Sequence, residues 1–307
     1  MKWRKLGLLG PAPQSHEWCA SHAMLPIPVD RPDQGIIRTY VTFCDSNGIG
    51  RPGYMDLDRE TFAVRRMSAA PLLDIGEPGT FDENGVLPTS IVSLDDRHVL
   101  MYYVGYELGT RIRYRMLTGL AISEDGGETF KRHTTVPILE RSPTEMYFRC
   151  GTYVMWTGEK FRMWYIAGNG WVLINGKQLP EYRIKYLESK DGSCWSPEGE
   201  LVLDMSRKDE HGFGRPWVVT TTTGLRMYYS VRRRSLAAYR LGYADSIDGV
   251  AWDRKDEQLG LDVGPDSYDD QAIMYAATIN LNGYTYCFYN GNDFGRDGFA
   301  IAVREDA

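Results

Sequence analysis

The chain of 307 residues is 43% hydrophobic and 25% charged, which is enough apolar material for a packed core and too much for a disordered chain. Its formal charge of −6, with no basic stretch beyond Arg232-Arg233-Arg234, argues against a nucleic-acid partner recognised through phosphates. That triplet reads most simply as a solvated strand end or hairpin, with a phosphate or acidic-sugar contact as the alternative.

From the N-terminus, Met1-Lys2-Trp3-Arg4-Lys5 is basic, but the apolar run Leu6–Leu9 contains Gly7 and is too short for a secretory signal or a membrane helix. No membrane insertion is expected. Cys19, Cys44, Cys150, Cys194 and Cys287 are an odd number with no CxxC pair. They fit reduced, buried thiols rather than a disulfide framework or zinc site, so the expected location is the cytoplasm.

A short aromatic strand recurs along the chain: Tyr40-Val41-Thr42-Phe43, Met101-Tyr102-Tyr103-Val104, Met163-Trp164-Tyr165-Ile166, Met227-Tyr228-Tyr229-Ser230 and Cys287-Phe288-Tyr289-Asn290. From Phe43 through Tyr103, Tyr165 and Tyr229 to Tyr289 the steps are 60, 62, 64 and 60 residues, a period that marks a repeat architecture. Three of these strands are followed by Ser123-Glu124-Asp125-Gly126, Ser189-Lys190-Asp191-Gly192 and Ser246-Ile247-Asp248-Gly249, with Phe130, Trp195 and Trp252 shortly after. Asp-Gly supplies the positive φ of a tight hairpin turn, and the aromatic can cover it. A leucine before a carboxylate precedes each following repeat, at Leu73-Asp74, Leu139-Glu140, Leu203-Asp204 and Leu261-Asp262.

Each repeat therefore reads as an inner strand, an aromatic strand, an Asp-Gly-turn strand and a short outer strand. The spacing predicts an all-β fold: a five-bladed β-propeller with four antiparallel strands per blade, forming a single domain over residues 1–307. Blades packed face to face bury both sheet faces, which accounts for aromatic strands without polar alternation. An open β-sandwich is the alternative.

Segments leading into inner strands converge on a propeller's central funnel, and here they are rich in ionisable groups. Asp82 leads into the second blade, Glu145 and Arg149 into the third, His211 and Arg215 into the fourth, and Asp270 and Gln271 into the fifth. The first has only Trp18, His22 and Pro26. Separated carboxylates around an aromatic-rimmed cavity suit glycosidic-bond cleavage, so the catalytic candidates are Asp82, Glu145 and Asp270. Asp82 and Glu145 would divide the acid and base or stabilising roles, and Asp270 would position a hydroxyl or tune a pKa. Capping or ion-pairing within the protein is the competing reading for each. The substrate-binding candidates are His22, Asp45, Tyr103, Arg149, Trp171, Arg215 and Gln271, with Trp171 stacking on a sugar or anchoring its loop, and the arginines holding an anionic group or pairing internally with Asp82 or Asp270.

No HxH or HExxH spacing supports a catalytic metal. Asp266, Asp269 and Asp270 lack the DxDxDG loop of a calcium site, so structural calcium has weak support and no cofactor is expected. No GxSxG, GxxxxGK[ST] or strand-linked GxGxxG is present.

The Leu-Asp linkers, Phe81-Asp82-Glu83-Asn84-Gly85-Val86-Leu87-Pro88, Arg215-Pro216, the Met-Trp-Tyr strands and the Ser-x-Asp-Gly turns together resemble the five-bladed propellers of the arabinanase, β-xylosidase, invertase and levansucrase superfamily of glycoside hydrolases. The whole chain is similar to bacterial members of that superfamily associated with surface-polysaccharide biosynthesis, most specifically through Phe288-Tyr289-Asn290-Gly291-Asn292 and Gly298-Phe299-Ala300-Ile301-Ala302. The resemblance implies three funnel carboxylates on the first three blades. Asp82 matches the second and Glu145 the third, although Tyr147 or Arg149 could hold that third place. Ser21-His22-Ala23-Met24-Leu25-Pro26 offers no first, for which Asp45 or Asp270 would have to substitute. Ser123–Phe130 also fits the Asp-box turn of sialidases, with Arg38, Arg149 and Arg215 as a conceivable carboxylate-binding trio. The expected function is a glycoside-hydrolase-like enzyme on a sugar, oligosaccharide or activated sugar. The alternatives are a non-catalytic glycan-binding or polysaccharide-assembly protein and a glycosyl-transfer enzyme.

Overall fold

A computed structural model of the chain describes residues 1–9, 16–236, 238–266 and 268–306. Among these residues the regular structure is all strand apart from three short 3-10 turns, and no described helix is long and apolar enough to cross a membrane. β1 (Trp3–Leu9) opens the chain. It is followed by β2 (Ser21–Arg31), β3 (Ile36–Cys44), β4 (Gly50–Asp58) and β5 (Val64–Met67), then β6 (Val86–Ser93), β7 (Val99–Leu108), β8 (Tyr114–Ser123) and β9 (Lys131–Arg132). Next come β10 (Phe148–Trp156), β11 (Phe161–Ile174), β12 (Lys177–Ser189) and β13 (Glu200–Leu203), then β14 (Glu210–Thr221), β15 (Gly224–Arg233), β16 (Tyr239–Ser246) and β17 (Asp253–Arg254). β18 (Met274–Leu281), β19 (Tyr284–Asn290) and β20 (Phe299–Arg304) end it.

β2–β5 and β14–β17 are four-stranded antiparallel meanders. β6–β9 and β10–β13 are further meanders, merged into one eight-stranded sheet by a short parallel pairing of β8 with β10. The remaining sheet runs β18-β19-β20 and takes β1 as its outer strand, so the two ends of the chain share a sheet. The first strands touch in a cycle: β2 meets β6, β6 meets β10, β10 meets β14, β14 meets β18, and β18 meets β2.

The predicted strand order recurs in each meander, with the aromatic strands β3, β7, β11, β15 and β19 second. Every residue of β3 is buried, as expected of a strand covered on both faces. One core cluster joins β6–β8 to β10–β12 and another joins β10–β12 to β14–β16.

The Ser-x-Asp-Gly segments connect third to fourth strands and explain how neighbouring sheets are joined. Asp125 Oδ1 accepts the Glu128 and Thr129 N–H groups, Asp191 Oδ1 those of Ser193 and Cys194, and Asp248 Oδ1 those of Val250 and Ala251. Each turn then offers a glycine carbonyl to the aromatic strand of the preceding sheet. Tyr40 donates to Gly127 at 3.4 Å, Tyr102 to Gly192 at 2.8 Å, and Trp164 Nε1 to Gly249 at 2.8 Å. Phe130, Trp195 and Trp252 sit edge-on to those same three rings. The Leu-carboxylate linkers bury their leucines, while Asp74, Asp204 and Asp262 pair outside with Arg51, Arg183 and Arg240 of third strands.

Candidate functional site

Asp82 and Glu145 are each 1% exposed and enclosed by partners. Asp82 accepts hydrogen bonds from Tyr103 Oη at 3.0 Å and Thr80 at 3.0 Å and pairs with Arg132 at 2.9 Å. Glu145 accepts from Tyr165 Oη at 2.8 Å and pairs with Lys185 at 2.7 Å and Arg149 at 2.6 Å. The same arrangement of carboxylate, second-strand tyrosine and cation recurs twice more. Asp256 joins Tyr229 and Arg254, with Glu210 forked onto Arg254 at 2.7 and 2.9 Å. Asp269 joins Tyr289 at 2.9 Å and Lys5 at 2.6 Å. Burial, followed by the adjacent carboxylate, raises the phenols of Tyr103, Tyr165, Tyr229 and Tyr289 above their ordinary pKa, so they stay donors.

These tyrosines are the reference points of the sequence repeat. The acids recur with them because each closes its own sheet, and in the last sheet the acid is Asp269 rather than Asp270. The missing acid before β2 has the same explanation. Phe43 replaces the tyrosine there, so no hydroxyl needs an acceptor, and Trp18 packs edge-on against its ring at 5.4 Å.

The other candidates are dispersed. Asp270 is exposed and accepts from Asn292 at 2.6 Å; neighbouring Gln271 is also exposed. With Asp269 held by Lys5 and Asp270 facing outward, that acidic run does not converge, and no metal-holding group of acids, histidines and cysteines occurs among the described residues. Asp45 caps its own turn through the Asn47 and Ile49 N–H groups and pairs with Arg51. Arg149 also donates to the Glu140 and Ser196 carbonyls. Arg215, 1% exposed, donates to the Pro26 and Tyr275 carbonyls and lies over the Trp217 ring. Burial lowers it to about 9. Arg38 forks onto Asp56 at 2.7 and 2.9 Å and also pairs with Glu128. Arg38, Arg149 and Arg215 are thus engaged separately, and no carboxylate-binding trio forms.

A different set converges where the first strands begin, the edge at which second strands end and third strands start. Tyr106 and Tyr114 rings lie 4.9 Å apart, and Tyr114 meets Trp171 at 5.3 Å. Phe148 connects Trp171, at 5.3 Å, to Tyr182, at 4.8 Å. The Arg232 guanidinium lies 5.8 Å from the Tyr182 ring and 4.6 Å from Tyr239. Tyr239 meets Tyr275 at 5.7 Å, and Tyr275 meets Phe294 at 6.5 Å. Tyr114, Tyr182 and Tyr239 are the buried backing of this arc, whereas Tyr106, Trp171, Arg232 and Tyr275 are half-buried and Phe294 is exposed. Two glycines of β14 make room for it: a Cβ on Gly212 would meet Tyr182 at 2.9 Å, and one on Gly214 would meet Tyr239 at 3.2 Å.

The backbone is strained beside this arc. His22, Leu25, Tyr275, Asp293 and Phe294 all have positive φ, a conformation costing about 1–3 kcal/mol per non-glycine residue. The Arg215 guanidinium holds the carbonyl following Leu25 and that of Tyr275 itself, which fixes two of them. His22 shares a hydrogen with Ser21 at 2.8 Å. Burial, followed by Arg296, lowers its pKa, and burial likewise lowers that of His211, which bonds the Pro180 carbonyl. Glu181, the strand neighbour of Tyr182, reaches across Gly170 beside Trp171 and pairs with Arg234 at 3.4 Å. Glu181 and Arg232 both act on the charge of His211.

Of the predicted residues, Trp171 joins this arc, Arg215 supports it from behind, and His22 lies among the strained residues next to it. Arg232 is a half-buried cation among tyrosines, not the solvated strand end expected of the triplet. Tyr114, Tyr182 and Tyr239 were missed, yet they carry a signal: Tyr114-Arg115, Tyr182-Arg183 and Tyr239-Arg240 place one dipeptide on β8, β12 and β16.

No family model matches the chain. It is 33% identical over 310 residues to "Uncharacterized protein Rv1502" of Mycobacterium tuberculosis (strain ATCC 25618 / H37Rv), covering 100% of both proteins. The chain belongs to the family of that mycobacterial protein. "Uncharacterized protein MT1551" of strain CDC 1551 / Oshkosh matches at the same identity and coverage. Among solved structures, a "Glycoside hydrolase" superposes with a TM-score of 0.74 at 20% identity, covering 99% of this chain and 92% of that one. A glycosyl hydrolase from Bacteroides ovatus gives 0.71 at 15%, with 97% and 91% covered. The β-1,2-mannobiose phosphorylase of Listeria innocua gives 0.73 at 11%, with 99% and 97% covered. The fold is therefore that of propeller-like glycoside hydrolases and phosphorylases.

Proposed function

We propose that this protein is a carbohydrate-active enzyme, a single five-bladed propeller over residues 1–307, that binds a glycan on the aromatic arc and cleaves or transfers a glycosidic bond there. The observation that carries the reading is the continuous arc from Tyr106 to Phe294, built from several sheets at one edge with half-buried Trp171 and Tyr275 rings. Flat aromatic faces match the apolar faces of sugar rings, and polar groups around them set orientation. The shared fold with glycoside hydrolases and a mannobiose phosphorylase favours the same class of substrate.

In this reading Asp82 and Glu145 are supports rather than catalysts. The acid–base role falls to Glu181, the carboxylate beside Trp171 and Tyr182. The free cysteines, Cys19, Cys44, Cys150 and Cys287 buried as expected but Cys194 exposed on its Asp-Gly turn, suit a reducing compartment, the cytoplasm. A second reading, glycan binding without bond cleavage, is favoured by one observation: Glu181, like the acids before β6 and β10, is paired with a cation, Arg234 at 3.4 Å.

The test is a panel of aryl glycosides, oligosaccharides and nucleotide sugars followed by proton NMR. Wild type turns over one class, Glu181→Gln loses at least about a hundredfold in kcat, and Trp171→Ala raises KM. Asp82→Asn keeps kcat in its folded fraction. Binding without turnover supports the second reading, and full activity in Glu181→Gln removes that residue's assignment.

A further inference from the structure

Arg232 differs from most of the protein's enclosed arginines. Arg38, Arg132, Arg149, Arg226 and Arg254 each meet a carboxylate within 3.1 Å, whereas among the described residues Arg232 has no ion pair. It sits between Tyr182 and Tyr239, with Tyr114 and Tyr275 close enough to act on its charge, and these four come from four strands, β8, β12, β16 and β18. The adjacent carboxylate, Glu181, is turned to Arg234. His211, the other titratable neighbour, has its pKa lowered by burial first and by the nearby arginines, so it brings no charge at neutral pH.

Arg215 shares the lack of a carboxylate, but its guanidinium is sealed and committed to two carbonyls. Arg232 is half-buried, with its guanidinium over the Tyr182 and Tyr239 rings of the arc rather than committed to backbone carbonyls. A guanidinium partly withdrawn from water with no counter-ion is costly, and its fork matches carboxylate and phosphate oxygens. Phenol hydroxyls can only assist an anion as donors while they remain protonated, and burial keeps Tyr182, Tyr239 and Tyr275 so.

From this juxtaposition we infer that Arg232 and its tyrosines form an oxyanion subsite, so that the substrate is an acidic or phosphorylated sugar, or a sugar bound together with phosphate. The inference rests on the proposed glycan-binding face and deepens it. The aromatic rings take the sugar, and Arg232 takes its charged group.

The experiment is calorimetric titration of wild type, Arg232→Gln, Arg232→Lys and Tyr114→Phe with four probes: a neutral oligosaccharide, a uronic-acid oligosaccharide, a sugar phosphate and inorganic phosphate. Thermal unfolding checks that each variant is folded. The expected result is that an anionic probe binds wild type at least about tenfold more tightly than the neutral one, and that Arg232→Gln abolishes this preference while Arg232→Lys restores part of it. The uronate, sugar-phosphate and phosphate arms identify which group carries the charge. Should Arg232→Gln fail to fold, wild-type preference and its reduction in Tyr114→Phe decide the matter. Equal binding of neutral and anionic sugars by wild type, or a preference that survives Arg232→Gln, overturns the subsite and leaves the glycan-binding face standing. Binding of no sugar at all overturns both.

Discussion

Removing the Glu145 carboxylate separates a supporting role from a catalytic one. In Glu145→Ala the Arg149 guanidinium, 3% exposed, and the Lys185 ammonium, 18% exposed, lose their common partner, and the Tyr165 hydroxyl loses its acceptor. Breaking a buried pair from one side costs about 3–5 kcal/mol, because the remaining charge stays desolvated. Unfolding entropy for a chain of this size converts that to a fall in Tm of about 5–8 °C. Glu145→Gln keeps an acceptor for Tyr165 and should fall by less. The assay is thermal unfolding by circular dichroism, checked by urea titration, with activity measured below the transition. A Tm within about 1 °C of wild type together with abolished turnover would refute the supporting role, since a catalytic acid is dispensable for folding.

Further expectations follow from the same joints. Gly119→Ala sets a methyl 2.2 Å from the fixed Tyr103 ring and should destabilise by about 1–3 kcal/mol in denaturant unfolding. Trp164→Phe removes the indole bond to the Gly249 carbonyl and leaves a void at a fully buried site. A loss of about 2–3 kcal/mol is expected, and an unchanged midpoint would show that the turn does not dock there. Burial raises the Glu210 carboxyl but Arg254 outweighs it, so its folded pKa lies below the ordinary 4.5. Its contribution is complete above that value and is lost as pH falls through the folded pKa. His22 and His211 have folded values below the ordinary 6.5, so the unfolded chain takes up protons first and stability already declines as pH drops below about 6.5. Tm measured from pH 8 to pH 3 checks both windows; a Tm flat between pH 7 and 5 contradicts the histidine part.

The repeat was legible because the residues that build it are local. A Ser-x-Asp-Gly turn closes on its own backbone, and the reference tyrosines sit at one register position in each second strand. The acids were legible as well, but their recurrence pointed two ways. Asp82 and Glu145 precede inner strands, as a funnel acid would, and only the side chains of Tyr103, Arg132, Tyr165 and Lys185 reveal that they are spoken for. Those partners lie 20 to 50 residues away in sequence. The site face was harder still. Tyr106 and Tyr114 come from one meander, Trp171 and Tyr182 from the next, and Arg232 and Tyr239 from another. Nothing in their individual spacing announces that the cycle of first strands brings them together. Arg232 in particular reads as a charge run at a strand end, and only the aromatic rings across the face distinguish it from Arg234, which is paired to Glu181.

The central claim is that a glycan rests on the arc between Trp171 and Phe294. Its most direct test is calorimetric titration of the oligosaccharide panel against wild type, Trp171→Ala and a control on the opposite side of the chemistry, Glu145→Gln. The account predicts that a sugar bound by wild type loses at least about tenfold in affinity to Trp171→Ala and is held normally by folded Glu145→Gln. Undiminished binding in Trp171→Ala, with binding lost in folded Glu145→Gln, would contradict it and return the site to the acids leading into the inner strands.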